Sequence, residues 1–385
     1  MMHCTPSDEA MNASGSLIME NVRFSASKVA LITGLHDYGD VTEEFLNCVY
    51  QNRQETLEQD AEKLQLRLVS KDEELELLVQ KSGTEAASQV RAALRWAKEK
   101  SIPARVGVAQ RLLTGVDKRL NEAQKGKKLA IVEVQEARKL LAEKIHTSVG
   151  TRNESLALKA YERQIGSPVR LTNERFYFLT FPRPGKQTEQ ETIVDYTLLS
   201  GQGQRSFAFK RQSKRLLQPA KTAIFEESKM PSDGFFSICG MVDGIADVLT
   251  ISADDEWEIS PVVVEVKNRM RRFRTPPPIY DQIQVAVYMK MLGVEHGDLV
   301  QCIYGDDPHP SIQVSRVSLG ISPLCLSDSS SGQVRDIWSE MIVPRLYAFA
   351  AAVEKMRANE SLRLSFLIGT GEERRTILRA ECNFL

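Results

Sequence analysis

No apolar run in this 385-residue chain approaches the roughly 18 residues a membrane-spanning helix needs, so a membrane protein is not expected. Neither sign of charge dominates: 50 Lys and Arg stand against 51 Asp and Glu, and any surface for a polyanion must be a local patch. The six cysteines (Cys4, Cys48, Cys239, Cys302, Cys325, Cys382) form no CxxC pair, and the five histidines add no metal-ligand spacing. Zinc and iron–sulfur sites are therefore disfavoured, and the thiols read as reduced ones of an intracellular compartment. The first 24 residues lack the apolar core of a secretory signal and the basic character of a transit peptide, carrying Asp8, Glu9 and Glu20. Residues 1–22 are expected to form a disordered leader.

What is present is an ordinary globular composition, 42% apolar and 26% charged, on a chain long enough for one catalytic domain plus an accessory segment. Within residues 23–50, SASKVALITGLHDYGDVTEEFLNCVY suggests a helix capped by Ser25 or Ser27, a glycine turn and a second helix from near Thr42. Gln51 to Lys81 should form one amphipathic helix, with Leu64, Leu68, Leu75 and Leu78 at helical spacing. Similar spacing continues to Ile145 across breaks at Gly83, Pro103 and Gly126. Residues 51–145 thus read as a helical insertion or subdomain, with coiled coil among the forms open to it, able to hold another copy or a protein partner.

After His146 a short helix through Tyr161 leads into the strand RFYFLTFP. Further strands are expected at Glu191 to Leu199, Phe235 to Val242, Ala246 to Ile251, Val262 to Val266 and Asp298 to Tyr304, with a helix from Tyr280 to Leu292. A C-terminal segment, 323–385, should hold a loop at Ser327 to Gly332 and one long helix from Val334 to Asn359.

The informative pattern is Gly240-Met241-Val242-Asp243 and, further on, Val262-Val263-Val264-Glu265-Val266-Lys267. Alternate residues of a strand share a face, so Glu265 and Lys267 project together while Val264 and Val266 face a core. Asp243, on a preceding strand that can pair as a hairpin through the polar stretch Ser252 to Ser260, adds a second carboxylate. Phosphodiester hydrolysis needs such convergence: hard oxygen ligands for magnesium, a polarised phosphate and an activated water. Asp243 and Glu265 supply oxygens, the Val266 carbonyl can add one, and Lys267 can orient the water or stabilise developing charge. A bare Glu-x-Lys is most often a surface ion pair, so its neighbours decide.

Gln284 and Tyr288 lie one turn apart on the following helix, Tyr288 in a packing role. Upstream, Glu154 falls in the first turn of a helix expected to begin near Thr151 or Asn153, where the helix dipole alone would favour a carboxylate. Arg269, Arg271, Arg272 and Arg274 follow Lys267, and Lys210, Arg211, Lys214 and Arg215 precede the Asp243 strand. Both clusters suit phosphate contacts without sequence specificity, or are simply solvated loops.

In the order Glu helix, Asp strand, Glu-x-Lys strand, Gln-x-x-x-Tyr helix, these motifs resemble the PD-(D/E)xK nuclease superfamily, specifically its lambda exonuclease or YqaJ-type branch and RecB-nuclease relatives. The resemblance spans about residues 146–305, with an echo at Ser27, Lys28 and Gly34. It implies an α/β fold with a restriction-endonuclease-like core over 146–322, a central mixed sheet flanked by helices. It also implies magnesium, with manganese as a substitute. Asp243 and Glu265 are the implied ligands, with Val266 and Glu154 completing the site, Lys267 the catalytic lysine and Gln284 a brace. Asp247 is an alternative to Asp243, which the Gly-x-x-Asp pattern favours.

The long gap from Asp243 to Glu265 and the helical segment 51–145 depart from compact members, and the iron–sulfur branch would need clustered cysteines. The expected partner is DNA, as a duplex with ends or single-stranded, and the expected activity an exonuclease of DNA repair, recombination or processing. The alternatives are a catalytically silent nucleic-acid-binding or scaffolding protein of the same fold, and a helical interaction protein.

Overall fold

The structure, a computed structural model, describes residues 21–36, 38–100, 103–184, 196–198, 205–207, 221–224, 234–251, 257–305, 309–318, 325–327 and 334–385. The leader up to residue 20, most of the strand expected at Glu191 to Leu199 and of the loop Ser327 to Gly332, and Lys210, Arg211, Lys214 and Arg215 lie outside the described residues.

The described residues open with a strand that was not expected, just ahead of the helix expected after Ser25 or Ser27. Val22 and Phe24 are fully buried, and β1 (Val22–Ser25) carries them into the core before a 3-10 turn at Ala26–Lys28. Four residues are too few for their alternation to be read against the helical pattern that follows. Next come α1 (Val29–Ile32) and α2 (Val41–Val49), the latter capped by Asp40, which accepts from the Thr42 amide at 3.0 Å. The single helix expected over Gln51 to Lys81 is two, α3 (Gln54–Lys63) and α4 (Lys71–Lys81). Gln65 adopts a left-handed φ of 53°, and Ser70 with Glu73 forms a capping box that restarts the helix. The helical region continues through α5 (Thr84–Lys98), α6 (Val106–Lys125) and α7 (Ile131–Ile165).

α7 corrects the expected boundary at residue 146: it is one helix of 35 residues. Its buried positions include Leu141, Ile145, Val149, Asn153, Ala157 and Tyr161, each four apart. Four residues turn about 400° at 3.6 per turn, so this stripe shifts about 40° at each step and about 200° along its length. One end therefore faces α4–α6, around a core with Leu75, Val90, Val116 and Leu120. The other end packs Ala157, Leu158 and Tyr161 on a sheet. The rotation makes one helix look like two in sequence.

The strands that follow are β2 (Val169–Arg170), β3 (Phe176–Pro182), β4 (Tyr196–Leu198), β5 (Arg205–Phe207), β6 (Lys221–Ile224), β7 (Gly234–Met241), β8 (Gly244–Ile251) and β9 (Trp257–Arg269). After α8 (Ile279–Leu292) come β10 (His296–Ile303), β11 (Ser311–Ser318), β12 (Cys325–Ser327) and β13 (Val334–Asp336). One mixed sheet has the order β1-β7-β3-β6 and another β11-β10-β9-β8-β2, while β4 with β5 and β12 with β13 form short ribbons. β1 runs parallel to β7, and β9 runs parallel to β10 across α8, as a crossover helix permits. Val264 and Val266 pack toward α7, whereas Val263 packs toward α8, so β9 is apolar on both faces. The class is α/β, with helices flanking two mixed sheets.

The helix expected from Val334 to Asn359 ends where expected but starts later, since Val334–Asp336 form β13, and two further helices follow it. A π-type turn at Trp338–Ile342 leads into α9 (Val343–Ala358), followed by α10 (Glu360–Ile368) and α11 (Gly371–Glu381). Asn359 caps α10 by accepting from the Leu362 amide at 3.0 Å, and Thr370 with Glu373 forms a capping box for α11. Among the described residues no helix is long and apolar enough to cross a membrane.

Candidate active site

Asp243 occupies the corner where the chain leaves β7 in one sheet and enters β8 in the other, rather than a strand position. Glycines on either side make this corner possible. A Cβ on Gly240 would lie 2.8 Å from Tyr288 Cε1, and one on Gly244 would lie 2.1 Å from Val169 Cγ1, so side chains there would force α8 or β2 away. β8 pairs antiparallel with β9, Gly244 opposite Val264. Beyond that pair, the Val266 amide donates to Asp243 Oδ2 at 2.7 Å. Amide and carbonyl of a strand residue point to the same edge, so the Val266 carbonyl opens toward Asp243 as well.

Glu265 and Lys267 share a face of β9, and α8 brings Gln284 over them. Lys267 Nζ donates to Glu265 Oε1 at 2.8 Å and to Gln284 Oε1 at 2.7 Å, while Gln284 Nε2 donates to the same Glu265 oxygen at 2.8 Å. The triangle leaves the other carboxylate oxygen, Glu265 Oε2, buried with no hydrogen-bond partner. Glu265 is 4% exposed, whereas the Lys267 side chain keeps 21% of its exposure, so the cluster opens to solvent on the lysine side.

Burial pushes the Glu265 carboxyl up to about 7, with the Lys267 ammonium opposing and the Asp243 charge adding. Burial likewise pushes Asp243 up to about 6; the Glu154 charge adds, while the Val266 amide and Lys267 oppose. Burial would lower the Lys267 pKa, but Glu265, Asp281 and Asp243 outweigh it and the ammonium is held above its ordinary value. The Glu154 carboxyl is also raised, by burial first and by the Glu265 charge, against the Asn173 hydrogen bond. Among the described residues no three His, Cys, Asp or Glu side chains stand close enough to form a ready-made metal cage.

Glu154 lies deep inside α7 instead of in a first turn, so the helix dipole does not account for it. Its carboxylate accepts from Asn173 Nδ2, and the Asn173 amide donates to the Val242 carbonyl at 3.2 Å, which ties Glu154 to the Asp243 corner. No feature of the sequence pointed to Asn173. Asp247 sits apart, paired with Arg170 at 2.5 Å near the surface, and does not take the place of Asp243. Tyr288 is 4% exposed and packs against Gly240.

Arg269 belongs to β9 and not to the loop. It pairs with the buried Asp281 and donates to Gln301 Oε1 at 3.0 Å, so it is committed inward and is not a free phosphate contact. Arg274 Nη1 donates to the Tyr280 hydroxyl at 2.7 Å. Arg271 and Arg272 are exposed, and Arg271 lies near His146, whose pKa is lowered by burial and by that charge. The end of β9 is clamped to α7 near Glu154: Tyr304 donates to Asn268 Oδ1 at 2.6 Å and to the Asn153 carbonyl at 3.0 Å, and Asn268 Nδ2 donates to the Gly150 carbonyl at 3.0 Å.

The hydrogen bonds thus join Glu265, Lys267 and Gln284 in one cluster, tie Asp243 to the neighbouring Val266 amide, and link Glu154 to the Asp243 corner through Asn173. No family model, curated protein or solved structure matches the chain.

Proposed function

We propose that this protein is a magnesium-dependent DNA nuclease of the PD-(D/E)xK class, built on a restriction-endonuclease-like core. The observation that carries the reading is the partnerless buried oxygen of Glu265 beside Asp243 and a paired lysine. Burying carboxylates together is costly without a cation, and an all-oxygen donor set suits a hard divalent ion. Magnesium usually keeps several waters and needs only one or two protein carboxylates, so the lack of a three-residue cage fits it. Asp243, Glu265 and the Val266 carbonyl would hold the ion, with Glu154 reached through water. The ion, when bound, supplies Lewis-acid polarisation of the phosphate and a more acidic water.

The chain's own groups do the rest. Gln284 fixes Glu265 and Lys267 relative to each other, and the solvent-facing Lys267 ammonium stabilises charge developing on the phosphate or orients the attacking water. Attack from a DNA end, as in an exonuclease, follows the lambda exonuclease resemblance. Incubating end-labelled linear DNA and closed circular DNA with magnesium or EDTA tests the reading: magnesium-dependent loss of the linear substrate is expected, and binding without cleavage of either would overturn it.

Two variants, one single and one double, refine the reading. Glu154→Gln keeps the shape of the side chain but removes its charge, and should lower cleavage by about tenfold or more while raising the magnesium requirement, since outer groups of a metal site typically contribute about 10- to 100-fold. Its melting temperature should stay within about a degree, because Gln fills the same space and its amide oxygen can still accept from Asn173. Wild-type cleavage at limiting magnesium would remove Glu154 from the site. Replacing Arg271 and Arg272 by Ala should weaken DNA binding and flatten its salt dependence, each lost phosphate contact reducing the slope of log K against log salt by about 0.9. An unchanged slope would make that loop a solvated one.

A further inference from the structure

The face of α8 that carries Gln284 continues one turn earlier to Tyr280, four residues away and hence a neighbour on the helix surface. The His36 ring stacks on Tyr280 with centroids 4.2 Å apart and planes tilted by 35°. Tyr38 meets His36 edge-on at 6.3 Å and 85°, and the residue is 79% exposed. On the other side Arg274 donates to the Tyr280 hydroxyl. That arginine is held by Gln301, fully buried, which accepts from the Arg274 amide at 3.1 Å and donates to its carbonyl at 2.9 Å.

A single exposed tyrosine needs no explanation, since isolated apolar groups on surfaces are ordinary. A run of three rings ending beside the Glu265–Lys267–Gln284 triangle, with an arginine of anchored backbone at its base whose guanidinium meets the Tyr280 hydroxyl, is a different matter. Packing explains the His36–Tyr280 contact but leaves the Tyr38 ring in water. Aromatic faces next to arginines are how proteins hold unpaired bases, each base stacking on a ring while its phosphate meets a cation.

We propose that Tyr38, His36 and Tyr280 form a stacking platform for an unpaired nucleobase adjoining the scissile phosphate, so that the site takes a single-stranded or frayed DNA end. This rests on the nuclease reading and adds the substrate's strandedness to it. A paired base inside a duplex offers no free face, whereas an unstacked one does. Arg274 marks the side from which the backbone of that nucleotide approaches.

The test measures binding with calcium in place of magnesium, using a fluorescent single-stranded deoxyoligonucleotide of about ten nucleotides, within the usual range of single-strand sites. Tyr38→Ala should weaken binding about tenfold, within the range seen when a stacking aromatic is removed, and Tyr38→Phe should restore it. Melting temperature should not move, because the ring is exposed. An abasic site walked along the strand should find one position where the missing base costs wild type as much as Tyr38→Ala does, and costs the variant nothing further, the signature of two groups in one contact. Wild-type binding that is insensitive both to Tyr38→Ala and to every abasic position would overturn the platform while leaving the nuclease reading in place. A wild-type protein that neither binds DNA nor cleaves it with magnesium would overturn both.

Discussion

Glu265→Gln and Lys267→Ala should each reduce magnesium-dependent DNA cleavage by about a thousandfold or more. A metal contributes several kcal/mol of charge stabilisation in the transition state, and each 1.4 kcal/mol is about tenfold in rate. Gln at 265 keeps the side chain's shape and can still accept from Lys267 and Gln284, but it replaces the buried partnerless oxygen with a weaker ligand or a donor. Ala at 267 removes the cation of the triangle, whose side chain keeps 21% of its exposure and can meet a phosphate. Neither loss should come from unfolding. In EDTA, Glu265→Gln should melt at or above the wild-type temperature, since it removes a carboxylate whose burial is unfavourable. Wild-type rates in both variants would refute the proposed site, and a matching fall in melting temperature would reassign the residues to stability.

The largest effect on stability is expected far from that site, at Asp60. Its side chain is 1% exposed and accepts from the Tyr50 hydroxyl at 2.8 Å and from Arg363 Nη2 at 3.1 Å. Arg363 in turn donates to the Arg357 carbonyl at 2.9 Å, so one carboxylate ties α3 and the end of α2 to the C-terminal helices. Asp60→Ala leaves a buried guanidinium unpaired, which costs about 3–5 kcal/mol. With an unfolding entropy of roughly 2.1 cal/mol/K per residue over 385 residues, each kcal/mol is roughly 1.2 °C, so the melting temperature should fall by roughly 4–6 °C. Removing both charges with Asp60→Leu and Arg363→Met should cost much less, because no uncompensated charge remains.

The pair also sets an acid limit. Burial alone would raise the Asp60 pKa, but the Arg363 and Tyr50 hydrogen bonds outweigh it and hold the carboxyl below its ordinary 3.8. The unfolded chain therefore binds this proton before the native protein does, and stability falls as pH drops through the window below about 4. The contribution is complete above that window. Asp60→Asn should flatten this part of the stability profile, measured by denaturant titration between about pH 2 and 5. An unchanged acid slope would show that other carboxylates set it.

Much of the site could be read from the sequence because strand parity is a local rule. Glu265 and Lys267 on one face, the valines alternating behind them and Gln284 on the next helix need only the period of each element. The same rule applied two residues further would have turned Arg269 inward, since it shares the face of Glu265 and Lys267 and meets Asp281 on α8. Tyr280 was equally accessible as the residue four before Gln284. Other features depend on contacts that no local pattern encodes. Asn173 reaches Glu154 only because the turn after β2 passes the Asp243 corner. α7 reads as two helices because its buried stripe winds around the axis as its partner changes from helices to sheet. The helices beyond the expected end at Asn359 carried cap signals, Asn359 itself and Thr370 with Glu373, that a reading of one final long helix left unused.

The pairing of β1 with β7 also imposes an order of events. Val22 lies opposite Phe236, a separation of about two hundred residues, so contacts of this kind form late relative to local helical ones. A ribosome adding about 5–20 residues per second takes about 10–40 s to make the second strand after the first. During that interval the segment from α4 to α7, whose core is made of near neighbours in the chain, can assemble. β1 meanwhile has no edge to join. The sheet that begins with the earliest of these strands is thus closed only after most of the polypeptide has been synthesised, and until then the apolar Val22 and Phe24 depend on the cell to keep them from other partners.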